Sequence, residues 1–355
     1  MKRLLRAFWL LPSTRWFIRE ARQTPGFGLI DFIHGYVYAR WPYLYIRIGT
    51  GEHPLVRILK PVFSFLVRAL SHFPVDKPQI ASTGLVPGKI AAQASSRRVT
   101  FADTYHGKVI SLEAARKLVT VNQEIRLTDL EQVIPYSLAR NLILAHPDHI
   151  LVLECPCRAS RPNPCRPLDV CLIIGEPFAG FAAEHYPDRC RWITPTAAVA
   201  ILQAEDDRGH VHHAFFKEAL LGRFFAICNC CSCCCGALQA HRNGIPMLAS
   251  AGYVCRVNTA RCIGCGTCPP ACQFEALSLK NGVAHVDDSL CMGCGLCRSR
   301  CPEEALWLVR DPTKSKPLEI EALLAAATGR QSRKHPMRGA ASENQTSLNG
   351  KWSNS

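Results

Sequence analysis

The sequence predicts an α+β fold in three parts: a mainly helical basic N-terminal segment, a mixed α and β middle domain rich in cysteine, and a small duplicated cysteine-rich domain. Three observations carry this expectation. All 20 cysteines of the 355 residues fall between Cys155 and Cys301. The formal charge of +14 is concentrated before Pro74 and after Gly329. Short apolar runs of strand length mix with helix-like stretches in the middle of the chain. At 48% hydrophobic and 20% charged residues the chain can bury two or three cores, which excludes disorder throughout and a small fold held by staples alone.

The expected boundaries are a basic amphipathic docking segment at 1–74, a linker or irregular segment at 75–105, a cysteine-rich metal-binding domain at 106–250, the duplicated domain at 251–312, and a short helix with a disordered tail at 313–355. Up to Pro74 there are eleven Lys or Arg against three acids, a net of +8, interleaved with aromatic residues such as Trp9, Trp16, Trp41, Tyr43 and Tyr45. Leu55, Ile58, Leu59, Val62, Leu66 and Leu70 follow helical spacing, with Arg57, Lys60 and Arg68 opposite and a kink or restart at Pro61. Such a face fits an anionic membrane surface and equally an ordinary helical core. No nucleic-acid-binding motif accompanies the charge, and no nucleic-acid partner is expected.

The apolar run Ala7–Leu11 ends at Pro12 without a small-residue cleavage site, and no stretch reaches the roughly 20 apolar residues of a membrane-spanning helix. The expected location is therefore the cytoplasm, or its membrane face if residues 1–74 dock there. In that reducing setting, confined cysteines point to metal binding instead of a disulfide framework.

Within 106–250, Thr128 followed by Glu131 is a capping-box signature that predicts a helix toward Ala145, bent or delayed by Pro135. Ile150 to Leu153 read as a buried strand. Thr194 and Pro195 open a helix that stops near Gly209, and Val211 to Phe216 read as a second strand.

The strongest signal is a repeat. Cys262-Ile-Gly-Cys265-Gly-Thr-Cys268-Pro-Pro-Ala-Cys272 returns 29 residues later as Cys291-Met-Gly-Cys294-Gly-Leu-Cys297-Arg-Ser-Arg-Cys301, and the match extends through Glu275 with Glu304 and Leu279 with Leu308. The spacing C-x2-C-x2-C-x3-C suits a 4Fe-4S cubane, because one tight loop presents three thiolates to three iron corners. Asn281-Gly282 marks a hairpin turn between the two runs. Zinc shares thiolate ligands, but two complete tandem runs favour iron and sulfide.

Residues from about Tyr253 to Val309 resemble a bacterial-type dicluster ferredoxin domain. The resemblance implies two 4Fe-4S clusters, one on Cys262, Cys265, Cys268 and Cys301, the other on Cys291, Cys294, Cys297 and Cys272. Pro302 follows the fourth cysteine of the second run as in that family, whereas Gln273 replaces the proline in the first. This departure leaves ligation intact and makes the two cluster environments unequal.

Twelve cysteines lie outside the repeat. Cys190 and Cys255 are isolated. Cys155, Cys157, Cys165 and Cys171 precede the dense run Cys228, Cys230, Cys231, Cys233, Cys234 and Cys235, six thiols in eight residues. Adjacent thiolates repel and oxidise unless a cation holds them, so these ten are candidate ligands for one or more additional iron–sulfur clusters, with zinc or a redox-active thiol group as alternatives. This middle region is similar to a group of multi-cysteine 4Fe-4S proteins of anaerobic bacteria that carry Cys-x-Cys-Arg and Cys-Asn-Cys-Cys-x-Cys-Cys-Cys ahead of a dicluster ferredoxin. Cys234-Cys235-Gly236 also matches the CCG domain of heterodisulfide reductases, but in three residues only and with the wrong downstream spacing. His210, His212 and His213 are candidates for ligating or hydrogen-bonding a cluster, and Arg158 for offsetting its charge.

No nucleotide-binding G-x-G-x-x-G, Walker loop, G-x-S-x-G or zinc-protease motif is present. The expected function is iron–sulfur electron transfer between redox partner proteins, as a carrier or oxidoreductase subunit. The alternatives are a reductase whose middle centre reduces substrate, and a redox or oxygen sensor.

Overall fold

A computed structural model of the chain describes residues 11–24, 26–54, 105–128, 130–135 and 141–334. The helix expected around Leu55 to Leu70, and most of the expected linker at 75–105, lie outside these residues.

An eight-stranded sheet organises the middle of the chain. Its strands are β1 (Tyr105–Ile110), β2 (Ile125–Leu127), β3 (Leu142–Glu154), β4 (Asp169–Glu176), β5 (Cys190–Ile193), β6 (Val211–Lys217), β7 (Arg223–Cys230) and β8 (Leu248–Ala249). The order is β2-β3-β4-β7-β6-β1-β8, with β5 pairing the second half of β3 on the side away from β4. All pairs are antiparallel except β1 with β8. The central strands are covered on both faces: all of β6 and the middle six residues of β4 are buried.

Strand alternation divides the core into two layers. Val109, Leu151, Leu153, Ile173 and Phe215 join a cluster with Phe17, Tyr38 and Phe178. These last three come from the helices α1 (Pro12–Gln23), α2 (Leu29–Arg40) and α6 (Phe178–His185); α3 is Pro42–Gly49, α4 Leu112–Val119 and α5 Pro156–Ala159. The neighbouring positions Ile110, Ile150, Val152 and Ile174 point the other way. There α4 and α7 (Pro195–Asp207) pack against each other and against β3 and β6. Ser111 caps α4 by accepting from the Ala114 N–H, and Thr194 caps α7 by accepting from Ala197.

The N-terminal helices are part of this fold. Gly35 of α2 lies so close to the chain at Ala219 that a Cβ would stand 1.8 Å from that carbonyl oxygen, so only glycine lets the helix settle there. Tyr38 and Tyr45 place their rings 4.5 Å and 5.6 Å from the buried Lys217 ammonium.

The strands read at Ile150 to Leu153 and Val211 to Phe216, and the helix opening at Thr194-Pro195, are present. The helix expected from Thr128 toward Ala145 is not formed by the described residues of that span, with 129 and 136–140 lying outside them. Leu130 to Ile134 make a single turn closed by the Ile134 N–H on the Leu130 carbonyl, and Leu142–Glu154 is strand. Leu142 and Leu144 are buried and alternate with half-buried residues while pairing β2, so sheet pairing outweighs the local capping signal.

The smaller domain follows with β9 (Tyr253–Val257), β10 (Leu277–Lys280), β11 (Val283–Val286) and β12 (Leu306–Arg310) in two hairpin-like pairs, β9 with β12 and β10 with β11. Asn281 and Gly282 turn the second pair, both with positive φ. Short helices α9 (Cys268–Ala271) and α10 (Leu296–Ser299) carry cysteines, α8 (Gly236–Arg242) links the domains, and α11 spans Ile320–Lys334.

Candidate metal centres

The duplicated motif folds as a duplicated geometry. Gly264 and Gly293, 29 residues apart, have φ near +67° and +68°, and a Cβ on either would stand 2.1 Å from the Gly282 oxygen or 2.4 Å from the Tyr253 oxygen. Glu275 and Glu304 share the left-handed conformation at matching positions. Backbone N–H groups of Ala276 and Ala305 donate to the Cys272 and Cys301 sulfurs at 3.3 and 3.2 Å, and those of Ala284 and Cys255 donate to Cys262 and Cys291 at 3.4 Å. Such donors stabilise negative charge on sulfur. Cys262, Cys265, Cys268 and Cys301 line one small cavity, and Cys272, Cys291, Cys294 and Cys297 line another. The second cavity holds a fifth thiol, Cys255, whose sulfur lies 3.5 Å from that of Cys297. Sequence reasoning left Cys255 isolated; its place, 29 residues before Ala284, was the available signal.

The ten remaining clustered cysteines separate into two sets. Cys155 follows β3 and precedes α5, Cys157 lies on α5, Cys171 on β4, Cys228 and Cys230 on β7, and Cys235 is the N-cap residue of α8. The antiparallel pairing of β3, β4 and β7 brings these strand ends together. Cys171 and Cys228 lie 3.8 Å apart, and the ionisation of each thiol depends on its neighbours in the closed order 155, 157, 235, 230, 228, 171 and back to 155, called the ring below. All six thiols border a cavity of about 270 Å³ whose other walls include Tyr38, Pro42, Tyr45, Phe178 and Phe225.

The other set is Cys165, Cys231, Cys233 and Cys234, whose sulfurs lie within 4.8 Å of one another; Cys233 is exposed and Cys165 half-buried, while Cys231 and Cys234 are buried and also line the ring's cavity. Cys190 joins neither set and bonds to the Tyr186 carbonyl.

The ring's electrostatics follow from its contacts. Cys228 is lowered to about 6 by the hydrogen bond from Cys171 and then that from Cys230; Cys235 is lowered to about 5 by Cys157 and then Cys230. Cys155 rises to about 12, first through its hydrogen bond to Cys157. Two members thus carry negative charge more readily than the other four, held by the thiol donors beside them. Arg158 also borders the cavity, and its guanidinium donates to the Glu205 carboxylate at 2.6 Å and to the Pro167 and Asn229 carbonyls at 2.6 and 3.0 Å. It is 1% exposed and brings positive charge beside Cys155 and Cys231. Its ion pair with Glu205 is thus formed beside the ring.

The three candidate histidines turn elsewhere. His210 Nδ1 pairs with Glu205 at 2.7 Å, and His212 Nδ1 with Asn229 at 2.6 Å. Neither these two nor His213 lines a cysteine cavity described here. Burial lowers His213 to about 3, which keeps its imidazole neutral.

The two cysteine-rich domains meet at Gln273, the residue that stands in place of the usual proline. Its side-chain oxygen accepts from the Ser232 N–H at 3.0 Å, its nitrogen donates to the Gly209 carbonyl at 2.8 Å, and its carbonyl accepts from Arg242. Phe274, Met292 and Leu296 of the small domain join the apolar core of the large one, with Cys272 and Cys294 against it. These second-repeat residues thus share a core with the ring members Cys155, Cys171, Cys230 and Cys235.

Residues 255–308 match the family described as the 4Fe-4S dicluster domain, so the C-terminal side of the chain carries such a domain. A search of curated proteins found no match. No helix among the described residues is long and apolar enough to cross a membrane.

Proposed function

We propose that the protein relays electrons through two 4Fe-4S clusters of the dicluster domain to a further iron–sulfur cluster on the six-thiol ring. The observation that carries the reading is the junction at Gln273, which joins the second-repeat cavity to the loop bearing Cys230 to Cys235. Cys262, Cys265, Cys268 and Cys301 would hold the outer cluster, and Cys291, Cys294, Cys297 and Cys272 the inner one. When bound, the clusters supply one-electron transfer. The chain's own residues supply thiolates, N–H donors to sulfur, and apolar insulation. Six thiols around one cavity, four of them buried and two half-buried, fit a polynuclear centre, since without cations their ionised forms repel.

Potentiometric EPR on the anaerobic chain tests this: Cys157→Ser should remove or alter one signal and leave the two dicluster signals. Unchanged spectra would count against a ring cluster. A second reading, a reductase whose ring centre meets substrate, is favoured by the apolar cavity beside the ring. A signal shifted by small exogenous ligands would support it over the carrier.

For partners, the reading includes redox proteins and docking of residues 1–74 on an anionic membrane surface. In its support, Leu29, Ile30, Ile33, Trp41, Leu44 and Ile48 are exposed, and so are Arg15, Arg19, Arg22 and Arg47. Ile30→Asp with Ile33→Asp should abolish co-sedimentation of the full chain with phosphatidylserine vesicles; retained binding would refute the docking.

A further inference from the structure

We infer that Cys165, Cys231, Cys233 and Cys234 form a separate mononuclear tetrathiolate site for one divalent metal ion of the zinc or single-iron class, which pins the two cysteine segments that build the ring. It concerns a different set of thiols from the electron relay and stands whether or not the ring holds a cluster.

Sulfur spacing carries the inference. A single tetrahedral ion bound at about 2.3 Å sets its four sulfurs about 3.8 Å apart. A cubane interposes four irons and holds its thiolates roughly 6 Å or more apart. In this quartet all four sulfurs lie within 4.8 Å of one another, with 3.0 Å between Cys165 and Cys233 and 3.7 Å between Cys233 and Cys234. The two motif quartets of the dicluster domain surround cavities instead, and no sulfur–sulfur hydrogen bond joins the four cysteines of either. Ring neighbours also approach in pairs, as Cys171 and Cys228 do at 3.8 Å, but among the described residues it is Cys165, Cys231, Cys233 and Cys234 that gather four sulfurs all within 4.8 Å of one another.

The local backbone fits the same chemistry. Cys231 and Cys234 bracket a tight turn closed by the Cys235 N–H on the Cys231 carbonyl at 3.0 Å, which brings three of the four thiols together within four residues. Arg161 holds the turn from behind, donating through Nε and Nη2 to the Cys234 carbonyl at 3.2 and 3.1 Å and through Nη2 to Gln239. Four protein ligands close a tetrahedral site and leave no open position, which is the structural type.

Its role follows from how the segments interleave. In the run Cys228 to Cys235, residues 228, 230 and 235 belong to the ring, whereas 231, 233 and 234 belong to the quartet, with 231 and 234 also lining the ring's cavity. Between Cys155 and Cys171, Cys165 alone joins the quartet. A metal there ties the loop before β4 to the loop after β7, both of which present ring thiols. Metal binding of this kind contributes directly to folding.

Zinc, iron and acid-labile sulfide are measured per chain in the anaerobically purified full-length protein and in Cys165→Ser and Cys233→Ser. Each variant should lose one equivalent of zinc, or one of iron, without losing sulfide; the zinc and iron assays tell the two ions apart. Loss of several irons together with sulfide would overturn the inference in favour of a cubane. An unchanged metal count, or a Cys165–Cys233 disulfide in the native chain, would overturn it too. Because the variants can fail to fold, X-ray absorption on the wild-type chain gives an independent reading: the zinc edge, or in a zinc-free preparation the iron remaining after sulfide-matched iron is subtracted. One ion with four sulfurs and no metal neighbour is the expected result, and any other first shell refutes it.

Discussion

The guanidinium of Arg158 and the carboxylate of Glu205 meet at 2.6 Å with 1% of either side chain exposed, one residue beyond Cys157. Burial alone would raise the Glu205 carboxyl, but the hydrogen bonds from His210 and Arg158 outweigh it and hold the group below its ordinary value. Removing Glu205 strands the Arg158 guanidinium, whereas Glu205 without Arg158 keeps Arg208 at 2.9 Å and His210 at 2.7 Å. Glu205→Leu should therefore destabilise the chain by about 3–5 kcal/mol in urea unfolding, and Arg158→Met with Glu205→Leu should recover much of that loss. A single variant within about 0.5 kcal/mol of wild type would show that the pair does not support the ring.

Gln273 gives a sharper test of the domain junction. Gln273→Pro restores the residue usual at that position of the repeat and removes both side-chain hydrogen bonds, to Ser232 and Gly209. Ligation by Cys272 is expected to survive, so cluster content should stay constant. Electron transfer from the dicluster domain to the ring, followed by rapid-mixing spectroscopy, should slow by about tenfold, equivalent to roughly 1.4 kcal/mol in barrier. Equal rates would mean that the contact is structural ornament.

Glycines in the small domain rank themselves. Ala at position 264 or 293 meets a backbone oxygen at 2.1 or 2.4 Å, whereas Ala at 282, also of positive φ, meets nothing within 4 Å. Gly282→Ala should cost only the left-handed strain, about 1–2 kcal/mol, and keep its iron. Gly264→Ala and Gly293→Ala should each lose about four irons, one cubane's worth. Equal iron in all three variants would contradict the loop geometry.

Lys217 links pH to the seating of the N-terminal helices. Burial lowers its ammonium to about 7 from an ordinary 10.5. A lysine lowered on folding binds fewer protons folded than unfolded between those values, so stability rises with pH across that window, and the full penalty of burying the charge applies below it. Stability should increase by at most about 2–3 kcal/mol from pH 7 to 9 in wild type and by that much less in Lys217→Met. Parallel pH profiles would remove Lys217 from the account.

How much of this was legible in the sequence differs by element. The dicluster motif was plain because its ligands, tight glycines and Asn281-Gly282 turn are contiguous, so local spacing fixes the loop. The ring was not, because its membership is decided by strand pairing: Cys171 reaches Cys228 only through β4 on β7, and neighbours such as Cys230 and Cys231 part company at a strand end. Thr128 and Glu131 spoke for a helix, yet pairing of Leu142 and Leu144 with β2 made the following chain a strand. The aromatics before Pro74 read as an interface, whereas Tyr38 and Tyr45 form a wall of the ring cavity, a role that no local periodicity encodes. Gln273 was visible as a departure from the motif, but its partners Ser232 and Gly209 lie 41 and 64 residues away.

The central claim is that the chain holds more iron–sulfur chemistry than its dicluster domain. Iron and acid-labile sulfide, counted per chain after anaerobic purification, test it most directly. The account predicts more than about eight of each, because two cubanes supply about eight and the ring adds its own. A count that stops at about eight sulfides, unchanged in Cys157→Ser and Cys230→Ser, would contradict it.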